Sequence, residues 1–397
     1  MGGAESRPHR PPVIDGIPYA RQHISDSDVQ AVVDVLRSEF LTQGPAVPAF
    51  ESAVAAYCGV AHAVAVNSAT SALHLACLAL DVGPGDWVWT SPITFVASAN
   101  CALYCGARVD FVDIDPRTYC LSADRLAEKL EQAARERRLP KAVVTVHLGG
   151  QSCDMAAIAA LGRRFGFTII EDASHALGGR YRGEPIGCGR YSNITVFSFH
   201  AVKLITTGEG GMAVTNDGAL AKRLQRLRTH GITRQADEMV GEPHGPWYYE
   251  QTELGFNYRL TDIQAALGRS QLTQLDRFVT RRREIARRYD EAFRSLPVVT
   301  PSQHPDGASA WHLYILRFSP VTHTEAFAAL RAAGINVNLH YIPVYRQPYY
   351  TRWHYDAAAF PEAERYYAEA ISLPMFAGLT DDQQERVVRA VTEVCTS

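Results

Sequence analysis

The stretch Val196–Gly211, VFSFHAVKLITTGEGG, concentrates residue types that do chemistry. It offers Ser198, His200 and Lys203, followed by two threonines and Gly208, Gly210 and Gly211. A β-rich apolar run, Ile194–Phe199, enters it and a second, Met212–Thr215, leaves it. A lysine held between two strands at a glycine-rich turn loses solvent, which favours the neutral amine a nucleophile needs. Alone, such a lysine is more often a solvated loop residue. Three further stretches alter that balance. Asn67-Ser68-Ala69-Thr70-Ser71 presents amides and hydroxyls at a helix start, which suits a phosphate, with simple capping by Ser68 or Thr70 as the plain alternative. Phe95, in SPITFVAS, follows a strand and is placed to stack on a planar ring, unless it is a core phenylalanine. In Ile169–His175 two isoleucines deliver Asp172 to a strand end, and His175 follows. A carboxylate there needs a cationic or hydrogen-bonding partner, or else serves as a helix cap.

A phosphate cradle, a stacking aromatic, a carboxylate for a ring nitrogen and an amine are the contacts that pyridoxal 5′-phosphate (PLP) requires. The carboxylate keeps the ring nitrogen protonated, so the ring can accept electrons as a carbanion forms. No metal is expected, because the eight cysteines are scattered without a CxxC pair. Cys101 and Cys105 could share a helix face, but beside alanines they read as small buried residues. The cysteine usage points to a reducing cytoplasm.

These groups need a scaffold. A chain of 397 residues is too long for one core, so a large and a smaller domain are expected. A net charge of −3 excludes a basic nucleic-acid surface, and no apolar run reaches the length of a membrane span. The start, MGGAESRPHRPP, lacks an apolar core and reads as a disordered tail over 1–13. Helical spacing marks Ser25–Arg37, Ala49–Cys58, Ala72–Leu80, Ala97–Tyr104, Ala123–Glu136 and Met155–Arg164. Between them, strand-like runs occur at His62–Val66, Trp87–Thr90, Arg108–Val112, Ala142–His147 and Phe167–Ile170. Phe40–Pro48 is a breaker-rich loop. This alternation indicates an α/β fold with a mostly parallel sheet covered on both faces, whose strand ends build the site. After the helix Asp217–Thr229 comes an irregular aromatic loop, Ile232–Thr252, then one long helical region, Thr261–Phe293. An α+β pattern follows, with a strand at Ala310–Phe318 and a helix at Thr324–Ala333. The expected boundary near Gly268 divides a large domain, 14–268, from a small one, 269–397.

EDASHALGG, SFHAVKLITTGEGG and GFNYRLTDIQAALG resemble the sugar aminotransferases of the DegT/DnrJ/EryC1/StrS family, over nearly the whole chain from about Ile14. The resemblance implies fold type I, like aspartate aminotransferase. That means a mostly parallel seven-stranded sheet in the large domain and a smaller α+β C-terminal domain. FLTQGPAVPAFE, SPITFVASANCALYCGA, PWYYEQTELGFNYR and HYIPVYRQPYY look like the branch acting in pseudaminic acid biosynthesis. That branch aminates C4 of UDP-2-acetamido-2,6-dideoxy-β-L-arabino-hex-4-ulose, with glutamate as the expected donor. By motif, Lys203 attaches the cofactor and shuttles the proton, Asp172 holds the ring nitrogen and Phe95 stacks on the ring. Ala69, Thr70 and Ser198 bind the phosphate, and His175 stands near the phenolic oxygen. Asn257 reaches the phosphate from the neighbouring subunit, so a homodimer with shared sites is implied. Arg259, His340, Tyr341 and Tyr345 are candidate substrate contacts, with a salt bridge or core tyrosine as the alternative. The relatives carry prolines where this chain has Ala201 and Leu204, although Lys203 is intact. The competing readings are a dTDP-sugar aminotransferase of antibiotic biosynthesis, the dehydratase subgroup with histidine in place of the lysine, and a non-catalytic regulator.

Overall fold

The computed structural model describes residues 16–319 and 321–396; the segment read as a tail lies outside them. The first two helices are α1 (Asp26–Leu36) and α2 (Ala46–Cys58). Ser25 and Asp28 cap α1 reciprocally, each side chain bonding the other's backbone N–H. α2 begins three residues before its sequence pattern and has no side-chain cap of its own. The buried Asp262 carboxylate accepts the N–H groups of Gly44, Ala46 and Val47 at 2.7, 2.7 and 3.2 Å. That acceptor turns the end of the expected loop into a helix start.

Seven strands form the main sheet: β1 (His62–Val66), β2 (Trp87–Thr90), β3 (Arg108–Phe111), β4 (Ala142–Val146), β5 (Thr168–Asp172), β6 (Ile194–Ser198) and β7 (Gly211–Thr215). Their order is β1-β7-β6-β5-β4-β2-β3. β7 is antiparallel to both neighbours, and the other pairings are parallel. Two successive reversals return β1 to the direction of β6, so the carboxyl ends of β1 to β6 share one edge. Period-two alternation separates two cores. Val64, Val66, Ile194 and Val196 face the core shared with α3 (Ala69–Ala79), α4 (Ala97–Tyr104), α5 (Ala123–Glu136), α6 (Met155–Phe165) and α7 (Gly218–Leu227). Ala63, Ala65 and Phe197 face Phe50 and Val54 of α2 on the other side. The sheet is therefore covered on both faces, as the alternating pattern indicates.

The long helical region is two helices, α8 (Asp262–Leu272) and α9 (Leu275–Phe293). They part where Gln271 and Gln274 turn towards the start of α1. The Gln271 side-chain amide donates to Asp28 at 2.6 Å, and that of Gln274 to Ser25 at 3.0 Å. Gly268, the expected boundary, lies in α8, where an added Cβ would come within 2.6 Å of Phe50. α9 carries the chain from the second core, with Phe278 and Val279, into a third, with Ile285 and Tyr289. The third core also holds β8 (Tyr314–Phe318), α10 (His323–Ala332), β9 (Ala370–Leu373) and α12 (Asp381–Thr396), with α11 (Pro361–Glu369) against the first. The strand expected from Ala310 forms only from Tyr314, because Trp311 adopts a left-handed φ of 51°. The aromatic loop is closed by antiparallel pairing of Ile232–Thr233 with Glu250–Gln251.

The cap from Asp262 is testable. Asp262→Ala leaves three amides without their charged acceptor and should cost about 2–4 kcal/mol. The loss should appear as a lower midpoint of the first urea transition followed by circular dichroism. Asp262→Asn keeps an acceptor oxygen and should lose less.

Candidate active site

The carboxyl ends of the strands open onto one cavity of about 600 Å³. Of the residues singled out in the sequence, Ala69, Thr70, Phe95, Asp172, His175, Ser198, Lys203, His340 and Tyr341 line it. Asn257, Arg259 and Tyr345 do not.

At the end of β1, Ser68 caps α3 by accepting the Ser71 N–H at 3.1 Å. The first helical amides, Ala69 and Thr70, cannot bond within the helix and have no other partner among the described residues. Gly211 makes this approach possible: a Cβ there would lie 2.4 Å from the Ala69 nitrogen. Ser198, ending β6, lines the cavity beside them. The group is an anion cradle of two free amides, a threonine and a serine.

Lys203 hangs on a turn stitched by bonds from Phe199 N–H to Gly210 O, Thr207 N–H to Phe199 O and Lys203 N–H to His200 O, each 2.9 Å. Burial pulls its ammonium down to about 8, against the opposing pull of Asp172. The two do not touch; Lys203 forms no ion pair within 4.0 Å among the described residues. Asp172 is held by Ser98 Oγ at 2.6 Å on one oxygen and by Ser174 N–H and Oγ at 3.1 and 2.5 Å on the other. Its neighbour Glu171 points to the opposite face, where His147 and Ser192 satisfy it at 2.7 and 2.5 Å.

Three imidazoles complete the wall. The Gly149 N–H donates to His175 Nδ1 at 3.3 Å, so the ring proton sits on Nε2, 3.2 Å from Tyr341 Oη. Burial, then the nearby Lys203 charge, holds His175 well below the usual imidazole range. His312 lies 4.4 Å from His175, ring to ring, and is pushed down in the same way. His340 accepts from the Asn338 amide and is held at about 3 by burial and Lys203. All three are neutral near pH 7, which leaves Asp172 to balance the lysine. Phe95 is 57% exposed, its ring 6.1 Å from that of Tyr341. It belongs to the cavity and not to the core.

Ser98, Ser174, His312 and Asn338 were not singled out in the sequence. Ser98 follows Phe95 in the same stretch and Ser174 stands between Asp172 and His175, so each had a local signal; His312 and Asn338 had none. Tyr345 is buried instead, with its hydroxyl donating to Glu364 at 2.6 Å, as in the core-tyrosine alternative. Asn257 is exposed and Arg259 half-buried, and their backbones pair with Thr229 and Val66.

The family model described as the DegT/DnrJ/EryC1/StrS aminotransferase family matches residues 22–392. The chain belongs to this family. It is 43% identical to the spore coat polysaccharide biosynthesis protein SpsC of Bacillus subtilis, over 95% of this chain and 97% of that protein. It superposes on Helicobacter pylori PseC, an aminotransferase involved in the biosynthesis of pseudoaminic acid, with a TM-score of 0.86. That match has 30% identity and covers 96% of this chain and 99% of PseC. Spr1654 of Streptococcus pneumoniae in its PLP form gives 0.85 at 29% identity, covering 96% and 98%. The enzyme is thus a PLP-dependent sugar aminotransferase with the α/β aminotransferase fold, which takes a sugar substrate and an amino donor. The cavity fits that cofactor, with free amides for a phosphate, a lysine amine and a carboxylate held apart from it.

The lysine should show its environment directly. Below about 8 it is an ammonium and above it an amine, so trace acetylation of Lys203 in the apoprotein should rise through a midpoint near pH 8. Because Asp172 holds that value up, Asp172→Ala should move the midpoint lower. Peptide masses across a pH series measure both, and a midpoint in the ordinary lysine range would refute the buried-amine account.

Proposed function

We propose that the enzyme transfers an amino group, from glutamate, to C4 of a nucleotide-linked 4-keto-6-deoxy sugar. The sugar is UDP-2-acetamido-2,6-dideoxy-β-L-arabino-hex-4-ulose. The observation that carries the reaction is one cavity in which Lys203 and Asp172 face each other across a gap. Bound PLP supplies an electron-withdrawing ring that stabilises the carbanion left when a substrate carbon loses its proton. Lys203 would attach the cofactor and then, as an amine, carry the proton at that carbon. Asp172, fixed by Ser98 and Ser174, would hold the protonated ring nitrogen, and Phe95 would cover the ring. The amides of Ala69 and Thr70, with Ser198, would bind the phosphate. His175 would donate its Nε2 proton towards the phenolic oxygen, with Tyr341 beside it. His340 and Tyr341, which also line the cavity, would contact the sugar.

Likeness along 96% of the chain to PseC, an aminotransferase involved in the biosynthesis of pseudoaminic acid, supports the pseudaminic acid branch, and SpsC supports a role in surface carbohydrate. The eight free cysteines support a cytoplasmic site of action. The enzyme acts as a homodimer, in which Asn257 serves the site of the other subunit. Its exposed position outside the cavity of its own chain supports that exchange.

A panel of UDP- and dTDP-linked 4-keto sugars, with glutamate as donor and product mass as readout, tests the substrate. Amination of the UDP sugar is expected; product from dTDP sugars alone would replace this assignment with an antibiotic-type sugar. The shared site is tested by mixing two inactive proteins, Lys203→Ala and Asn257→Asp, whose added carboxylate repels phosphate. In a mixed dimer one site collects both lesions and the other neither. Activity should return, up to one intact site per heterodimer. Heterodimers purified on two affinity tags that stay inactive would place Asn257 in its own subunit's site.

A further inference from the structure

A second cavity, of about 490 Å³, opens beside the catalytic one. The same two segments wall both. Thr94, Phe95 and Ala97 line the catalytic cavity, while Val96, Asn100 and Tyr104 line the second, so the start of α4 is a wall common to the two. On the other segment, Asn338–Tyr341 line the first and Gln347–Tyr350 the second. The segments are tied together by the bond from Val344 N–H to Pro92 O at 2.9 Å.

No carboxylate and no cation line the second cavity; its polar groups are amides and phenols. Asn100 accepts the Tyr350 hydroxyl on its side-chain oxygen at 2.6 Å, which leaves its two amide N–H donors without a partner among the described residues. Gln347 is half-buried, and its side chain makes no hydrogen bond among them, as donor or as acceptor. Amides held against tyrosines without partners are costly, and a bound ligand removes that cost. Tyr104 and Tyr349 are exposed. Arg352 sits beside Tyr349, its guanidinium carbon 3.9 Å from the ring centroid and its Nε donating to Tyr349 O at 2.8 Å. Its two terminal nitrogens are unpaired among the described residues.

We infer that this cavity receives the pyrimidine base of the substrate while the sugar occupies the catalytic cavity, an inference that rests on the nucleotide-linked reading above. A uracil ring is planar and uncharged, and its edge carries two carbonyl oxygens with one N–H between them. Asn100, with only donors left, bonds a carbonyl oxygen. Gln347, with both ends free, pairs with the N–H and the other oxygen. Tyr104 and Tyr349 supply faces on which a base stacks, and Arg352 supplies donors for a phosphate oxygen. Thymine shares the same edge, whereas a purine is larger and presents a different one. The two segments therefore hold the sugar and the base at successive places along their length.

The test uses the holoenzyme. Irradiation with 5-iodouridine 5′-diphosphate as a photoprobe should attach the base to Tyr104 or Tyr349, located by peptide mapping of the wild-type protein. In titration calorimetry with UDP, Gln347→Ala should weaken binding by about three- to tenfold. Tyr349→Ala should weaken it by about tenfold or more, and Tyr349→Phe, which keeps the stacking face, should retain most of the affinity. UDP should inhibit in competition with the nucleotide sugar, because one pocket serves both. Four results would overturn the inference: an adduct only on other peptides, UDP affinity untouched by both alanine substitutions, GDP bound as tightly as UDP, or non-competitive inhibition, which would make this a site for a free nucleotide. Failure of the reading beneath it looks different. Binding of dTDP in place of UDP, weakened by the same substitutions, would overturn the UDP assignment and keep the pocket. Amination of an unlinked keto sugar by a protein that binds neither would overturn the nucleotide-linked reading itself.

Discussion

A lysine ammonium set in a cavity beside a carboxylate it cannot reach is the constraint on which the site depends. Removing a charge from water is costly, and the cost appears here as a lysine brought to about 8. Contact with Asp172 would return it towards its ordinary range and remove the amine. The gap preserves the amine while the carboxylate limits the shift. Ser98 and Ser174 occupy both oxygens of Asp172, so it stays where β5 leaves it. Protonated histidines would crowd a second positive charge against the lysine. Burial keeps His175, His312 and His340 neutral and removes that competition.

The scaffold holds these groups through buried polar anchors placed far apart along the chain. α2 and α11 have no side-chain cap of their own. Asp262 supplies one to α2, and Asp113 supplies the other, accepting from Glu362 and Ala363 N–H at 3.0 Å each. Each places a negative charge where the orphan amides and the helix dipole favour it. Arg282 does the converse. Fully buried, it donates to the carbonyls of Trp311, His312 and Met375 at 3.2, 3.2 and 2.8 Å. Burial lowers it only to about 10, so it stays charged near neutrality. It thereby fastens the segment bearing His312 to the third core and fixes one wall of the cavity.

Much of this was legible in the residues. Alternating strand and helix periods specify a covered parallel sheet, because each element must bury its apolar face. Strand ends on one edge then bring Ala69, Phe95, Asp172 and Lys203 together, which is why a reading of four separate stretches converged on one cavity. Departures from that reading follow tertiary partners. The α8–α9 break is set by glutamines reaching α1, and the early start of α2 by Asp262.

What the sequence determined by itself is whatever depends on local period and residue chemistry: the elements, the lysine turn and the strand-end carboxylate. Only the tertiary structure decided which groups surround them. Ser98 on Asp172, Gly149 selecting the His175 tautomer, His312 against His175 and Tyr345 withdrawn to Glu364 are contacts between distant parts of the chain. Hydrogen bonds and charges act over a few ångströms of space, and distance in space is what folding sets, whatever the separation along the chain.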